Sequence, residues 1–128
     1  MSHEPHLTDQ QIEDYLSENG SPPHVVRAGR AGLIRRYREF VGEVEEGYRL
    51  GLDDYRNDLD LRGTLATLGL DDDPGVQEAD LRLVKVLEPA NGRIWESCEG
   101  SPFWDMGYPR NASGDLLDDL KSEGLAAR

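Results

Sequence analysis

Cysteine is almost missing from this chain: Cys98 stands alone among 128 residues. That excludes an intramolecular disulfide framework and any zinc site built on paired cysteines. With no histidine near it in sequence, Cys98 reads as a small buried or half-buried thiol rather than a nucleophile. Histidine is scarce where chemistry would want it, since His3, His6 and His24 all lie in the first 24 residues. The first two fall in a segment, residues 1–7, that reads as a mobile N-terminal tail. No apolar run approaches the ~20 residues of a membrane span, and the opening MSHEPHLTDQQ has neither the basic start nor the apolar stretch of a secretory signal. A soluble, cytoplasmic protein with no membrane partner is therefore expected. GxSxG, P-loop, GxGxxG and HExxH patterns are all lacking, so no catalytic residue and no cofactor is expected.

What the chain has in excess is acid. It carries 14 basic and 26 acidic side chains, a formal charge of −12. Such a surplus repels nucleic acid and anionic membranes and speeds encounter with basic protein surfaces; it also occurs simply to keep a small protein in solution. The charges are segregated. Ser21 to Arg38 holds Arg27, Arg30, Arg35, Arg36 and Arg38 with no acid, and Glu39 to Asp60 then sets eight acids against Arg49 and Arg56. Glu39, Glu43 and Glu46 stand within helical reach of Arg35 and Arg36, so a phosphate-binding face is not expected there.

Hydrophobic periodicity predicts a mainly α fold: a single small domain, residues 8–125, of four to five helices. Thr8-Asp9-Gln10-Gln11 has the form of a capping box and opens a short helix ending at Asn19-Gly20. Ser21-Pro22-Pro23 opens a second, running to about Tyr48, with a break possible at Gly29 or Gly32. The third spans Asp53 or Asp54 to Leu68 with two acids at its positive end, and the second and third should form an αα-hairpin. Asp73-Pro74-Gly75 opens a fourth, ended by Glu88-Pro89. Helix is preferred over strand for 81–87, because a strand would put Lys85 on the same face as Leu81, Leu83 and Leu87. Ser113-Gly114 opens the last helix, stopped by Gly124. Between them, residues 93–108 read as a short β-hairpin or an extended aromatic segment.

Three polar residues, Asp54, Asp58 and Arg62, fall inside the apolar arc of the third helix at four-residue spacing, so that Asp58 can reach Arg62. A charge facing a core is costly unless paired, and arginine pairs with carboxylate through two parallel hydrogen bonds. A buried structural ion pair, a polar pocket for a ligand or partner, and a solvated helix with no buried charge are the three readings. Arg30 on the second helix, if that helix is continuous, and Asp80 on the fourth share the anomaly and are candidates to join the set. The run Asp53 to Asp60 has oxygen ligands but lacks the Gly and closing Glu of an EF-hand, and no metal is expected. Trp104, Met106 and Tyr108 alternate onto one face if extended, followed by Arg110. Such residues serve either as core anchors or as the centre of a recognition surface.

The functional expectation is a small acidic, non-catalytic interaction module covering a basic protein, of the inhibitor, antitoxin or immunity type. The alternative is a small-molecule-binding or enzymatic domain with a polar pocket around Asp54, Asp58 and Arg62. Candidate contact residues are Asp54, Asp58, Arg62, Arg30, Trp104, Tyr108 and Arg110.

Overall fold

A computed structural model describes residues 7–92 and 107–126. It contains, in chain order, α1 (Asp9–Glu18), α2 (Pro23–Gly47), α3 (Leu52–Thr67), α4 (Pro74–Val86), β1 (Leu87–Glu88), β2 (Tyr108–Pro109) and α5 (Gly114–Ser122). The domain is mainly α, as the periodicity predicts. None of the described helices is long and apolar enough to cross a membrane.

α1, α3 and α4 start where a side chain satisfies otherwise unpaired backbone donors, whereas α2 opens on Pro22-Pro23 and α5 on Ser113 without a side-chain cap. The Thr8 box forms in both directions: Gln11 N donates to Thr8 Oγ1 at 3.1 Å and Thr8 N donates to Gln11 Oε1 at 2.8 Å. Asp73 accepts from Gly75 N at 2.8 Å and from Val76 N at 3.3 Å, opening α4. α3 begins at Leu52, slightly earlier than expected, because two carboxylates reach its first amides. Asp54 accepts from Gly51 N at 3.2 Å, and Asp119 of α5 accepts from Leu52 N at 2.9 Å.

α2 is the element that the others use as a platform, packing against α1, α3, α4 and β2, while α5 packs against α3. Its stripe of Leu33, Tyr37, Phe40, Val41 and Val44 is buried, joined by Tyr48. Where α2 meets α3, four rings interlock: Phe40 stands 5.8 Å from Tyr48 and 5.7 Å from Tyr55, Tyr48 stands 5.4 Å from Tyr55, and Tyr37 stands 6.4 Å from Phe40. Val76, Ala79 and Leu83 of α4 and Leu116 and Leu120 of α5 complete one continuous core.

Two glycines shape the path. α2 is broken at Gly29 (φ 57°, ψ −144°), a backbone region that only glycine enters readily. The break removes the continuity that would have put Arg30 in the apolar stripe. Arg30 instead turns toward α1, donating to the Leu7 carbonyl and lying 3.6 Å from Asp9. Leu7, at the end of the segment read as a tail, packs partly buried against the core. Gly107 (φ 100°) lies against the Glu88 backbone so closely that a Cβ would meet the Glu88 carbonyl oxygen at 1.8 Å.

A short antiparallel strand pair is present, its second strand at the C-terminal edge of the 93–108 segment. β1 and β2 are antiparallel, with Leu87 opposite Pro109 and Glu88 opposite Tyr108. The chain leaves the helix at Leu87 (φ −84°, ψ 146°), just before Pro89, a residue that disfavours helix in the one preceding it. The first strand is thus the tail of α4, and residues 93–106 lie outside the described residues.

Gly29→Ala should lower unfolding free energy by about 1–3 kcal/mol, the cost of forcing a Cβ into that backbone region. Space is not the issue, since a Cβ there meets nothing within 4 Å. Urea denaturation at fixed pH checks it; an unchanged midpoint would mean that the kink relaxes into continuous helix.

Candidate functional site

Arg62 sits on the buried face of α3 between Leu59 and Leu65, and its side chain is only 7% exposed. Its guanidinium is engaged from across the helix interface: Nε donates to Asp80 Oδ1 and Nη2 to Asp80 Oδ2, both at 2.8 Å. Tyr37 of α2 donates its hydroxyl to the same Asp80 Oδ1 at 2.6 Å. One carboxylate on α4 therefore ties α2, α3 and α4 together. Burial opposes the charged form of Arg62, but the Asp80 hydrogen bonds and charge outweigh it and hold the guanidinium above its ordinary value. Nη1 is buried without a hydrogen-bond partner.

The three-residue set of the helical wheel is divided. Asp58 lies at the rim of the buried face and accepts from the Tyr48 hydroxyl at 2.6 Å. Asp54 is exposed and caps its own helix. The buried arc runs through Leu52, Tyr55, Leu59, Arg62 and Leu65, so Arg62 points inward while Asp54 and Asp58 flank that arc. Asp80 won the arginine because it approaches from a facing helix, where both carboxylate oxygens meet the guanidinium fork. The hydroxyls of Tyr37 and Tyr48 were the unread partners. Both lie on the apolar stripe of α2, and a buried tyrosine seeks an acceptor.

Glu43 and Glu46 share an open pocket of about 620 Å³ with Tyr48, Arg49, Leu50 and Ser113, at the C-terminal end of α2. Of the expected helix pairs with Arg35 and Arg36, Arg35–Glu39 forms at 3.9 Å. Glu45 is taken by Arg82 of α4, whose charge and hydrogen bonds hold that carboxyl below its ordinary value. Glu43 and Glu46 have no ion-pair partner among the described residues. Asp58, Asp54 and Glu43 all act on the Tyr48 hydroxyl, so the acids of two helices gather around one ring. The backbone sharpens this field, because α2 ends on Glu45 and Glu46 with no basic residue in its last turn. α4 and α5 each end on a lysine, as the helix dipole favours. The last carbonyls of α2 are met by the segment before α5: Asn111 Nδ2 donates to Glu45 O at 3.0 Å and Ser113 Oγ to Gly47 O at 3.2 Å.

The other candidates are scattered. Tyr108 is buried, its hydroxyl 3.3 Å from Glu88 Oε1. Arg110 is exposed and donates to the Lys85 carbonyl. Arg30 is held by Leu7 and Asp9, remote in sequence from the rest, and Trp104 lies outside the described residues. No group of three or more metal-ligating side chains occurs among the described residues. Comparison of the chain with protein-family models, with curated proteins and with solved structures gives no match.

Two outcomes follow from this geometry. Arg62→Ala strands the Asp80 carboxylate among helices and should cost about 3–5 kcal/mol, whereas Asp58→Asn, at the rim, should cost about 1 kcal/mol. Thermal and urea melts of both variants read the difference, and equal losses would mean that Arg62 is not the buried member. The second outcome concerns alkali. Burial raises the phenols of Tyr37, Tyr48 and Tyr55, reinforced for Tyr37 by Asp80 and for Tyr48 by Asp58. In the unfolded chain they ionise near pH 10, so their contribution to stability is complete below about pH 10 and is lost as pH rises above it. Tyrosinate absorbance should show these three ionising only together with unfolding, against independent titration if the rings are accessible.

Proposed function

We propose that this chain is a small non-catalytic interaction module of the inhibitor, antitoxin or immunity type, whose acidic face covers a basic protein partner. The observation that supports it is the uncompensated pair Glu43 and Glu46 facing the pocket at the end of α2. Many other acids already have intramolecular work: Asp80 and Asp58 accept from tyrosines, Glu45 holds Arg82, and Asp54, Asp73 and Asp119 cap helices. Exposed Leu50 at the pocket rim supplies an apolar contact beside the carboxylates, the combination that a lysine or arginine side chain with its aliphatic stem fits. A basic surface approaching this face is attracted by the net charge of −12 before contact and is oriented by the local acids at contact.

The test uses the chain as bait in lysate of its native host, in wild-type form, as Glu43→Gln/Glu46→Gln, and as the control Glu13→Gln/Asp14→Asn on α1. One basic partner is expected, with an association rate that falls as NaCl rises from about 50 to about 500 mM. The pocket variant should lose about tenfold in affinity or more while its melting temperature and the control variant's binding are kept. No stable partner, binding insensitive to salt, or equal binding by the pocket variant would overturn the reading.

A further inference from the structure

The outward face of α4 carries two large apolar side chains that stay exposed: Leu81 is 66% exposed and Val84 is 42% exposed. They are three residues apart and so adjacent on the helix surface, continuing the row that starts at exposed Gln77. The spacing 77, 81, 84 is the four-then-three pattern of a helix seam. Charge is ordered along the same element. Glu78 lies in its N-terminal half, past the first turn; exposed Lys85 lies in its last turn and exposed Arg110 donates to the Lys85 carbonyl. The helix itself is neutral, with Glu78 and Asp80 balanced by Arg82 and Lys85, in a chain of charge −12.

We infer that this face binds a second copy of the chain, the two α4 helices packing antiparallel about a two-fold axis between Leu81 and Val84. An antiparallel arrangement sets Leu81 of each copy beside Val84 of the other. It also brings the basic end of each helix to the acidic end of its neighbour, so that Lys85 meets the second copy's Glu78 twice over by symmetry. A parallel arrangement would put like charges together. Arg38 lies 3.3 Å from Glu78 within the chain, but that pair is exposed and competes weakly. A neutral apolar face is also where two strongly acidic molecules repel each other least. Two helices each about 20 Å long bury less than a standard interface of about 1,600 Å², so the dimer is weak and concentration-dependent. This face is separate from the Glu43–Glu46 pocket, and the inference does not rest on that reading.

Sedimentation equilibrium of the purified full chain, from about 10 µM to about 1 mM, reads the association. The average mass should rise from monomer toward dimer, and the dimer should be tighter at about 500 mM than at about 50 mM NaCl, because salt screens the mutual repulsion. That sign is opposite to the one expected for a basic partner. Leu81→Glu, at an exposed position, should weaken the dimer about tenfold or more with an unchanged melting temperature. Glu78→Lys and Lys85→Glu should each weaken it, and the double exchange should restore it. Monomer at every concentration, a dimer indifferent to Leu81→Glu, or a double exchange no better than either single one would overturn the inference.

Discussion

The bidentate contact between Arg62 and Asp80, with the Tyr37 hydroxyl on the same carboxylate, is what the arrangement of the three largest packed helices depends on. Hydrophobic burial decides that α2, α3 and α4 collapse on one another, but it is not directional. The carboxylate is. An arginine fork accepts it in few orientations, and a phenol donor on a third helix fixes the remaining freedom. Replacement of all three by apolar groups of matching shape is often as stable or more so, and what the polar trio contributes in that comparison is one register over several. The choice of α2 as the platform follows, since it supplies Tyr37 to this trio and Tyr48 to the parallel contact with Asp58.

Tyrosine rather than phenylalanine fills the centre, and this has consequences for the charge of the protein. Tyr37, Tyr48 and Tyr55 pack around Phe40 in tilted and edge-on contacts that favour opposite parts of the ring quadrupole. Each ring brings a hydroxyl that must not be left dry. Carboxylates at the margins of α3 and α4 accept two of them, so part of the acidity of the chain serves the core rather than the surface.

Legibility from sequence followed the range of the interaction involved. Capping at Thr8 and Asp73, an end of the third helix at about Leu68, and a break at Gly29 are local and readable, because neighbours along the chain decide them. The wheel likewise marked Arg62 and Asp80 as polar groups on apolar faces. It misassigned the partner, since four-residue spacing on one helix makes Asp58 the nearest acid on paper while the buried fork selects the acid on the facing helix. The partner of β2 is also long-range: residues 87–88 and 108–109 are far apart in sequence, and nothing in the composition of either dipeptide announces the other. Residues of the aromatic strip before Gly107, Trp104 among them, lie outside the described residues.

A net charge of −12 is a poor guide to a binding face until the structural acids are subtracted from it. Caps, tyrosine acceptors and the Arg82 pair account for Asp54, Asp58, Asp73, Asp80 and Glu45, and these act within the chain. What remains is uneven. At the end of α2, Glu43 and Glu46 oppose both the helix dipole and each other, a placement that costs a few tenths of a kcal/mol per charge, with no ion-pair partner among the described residues. On α4 acids precede bases, Lys85 stands in the last turn where the dipole favours it, and the charges sum to neutrality beside two exposed apolar side chains. The first pattern is the one the proposed basic partner would use, and the second the one the proposed second copy would use. Salt moves the two in opposite directions, because it screens an attraction in one case and a repulsion in the other.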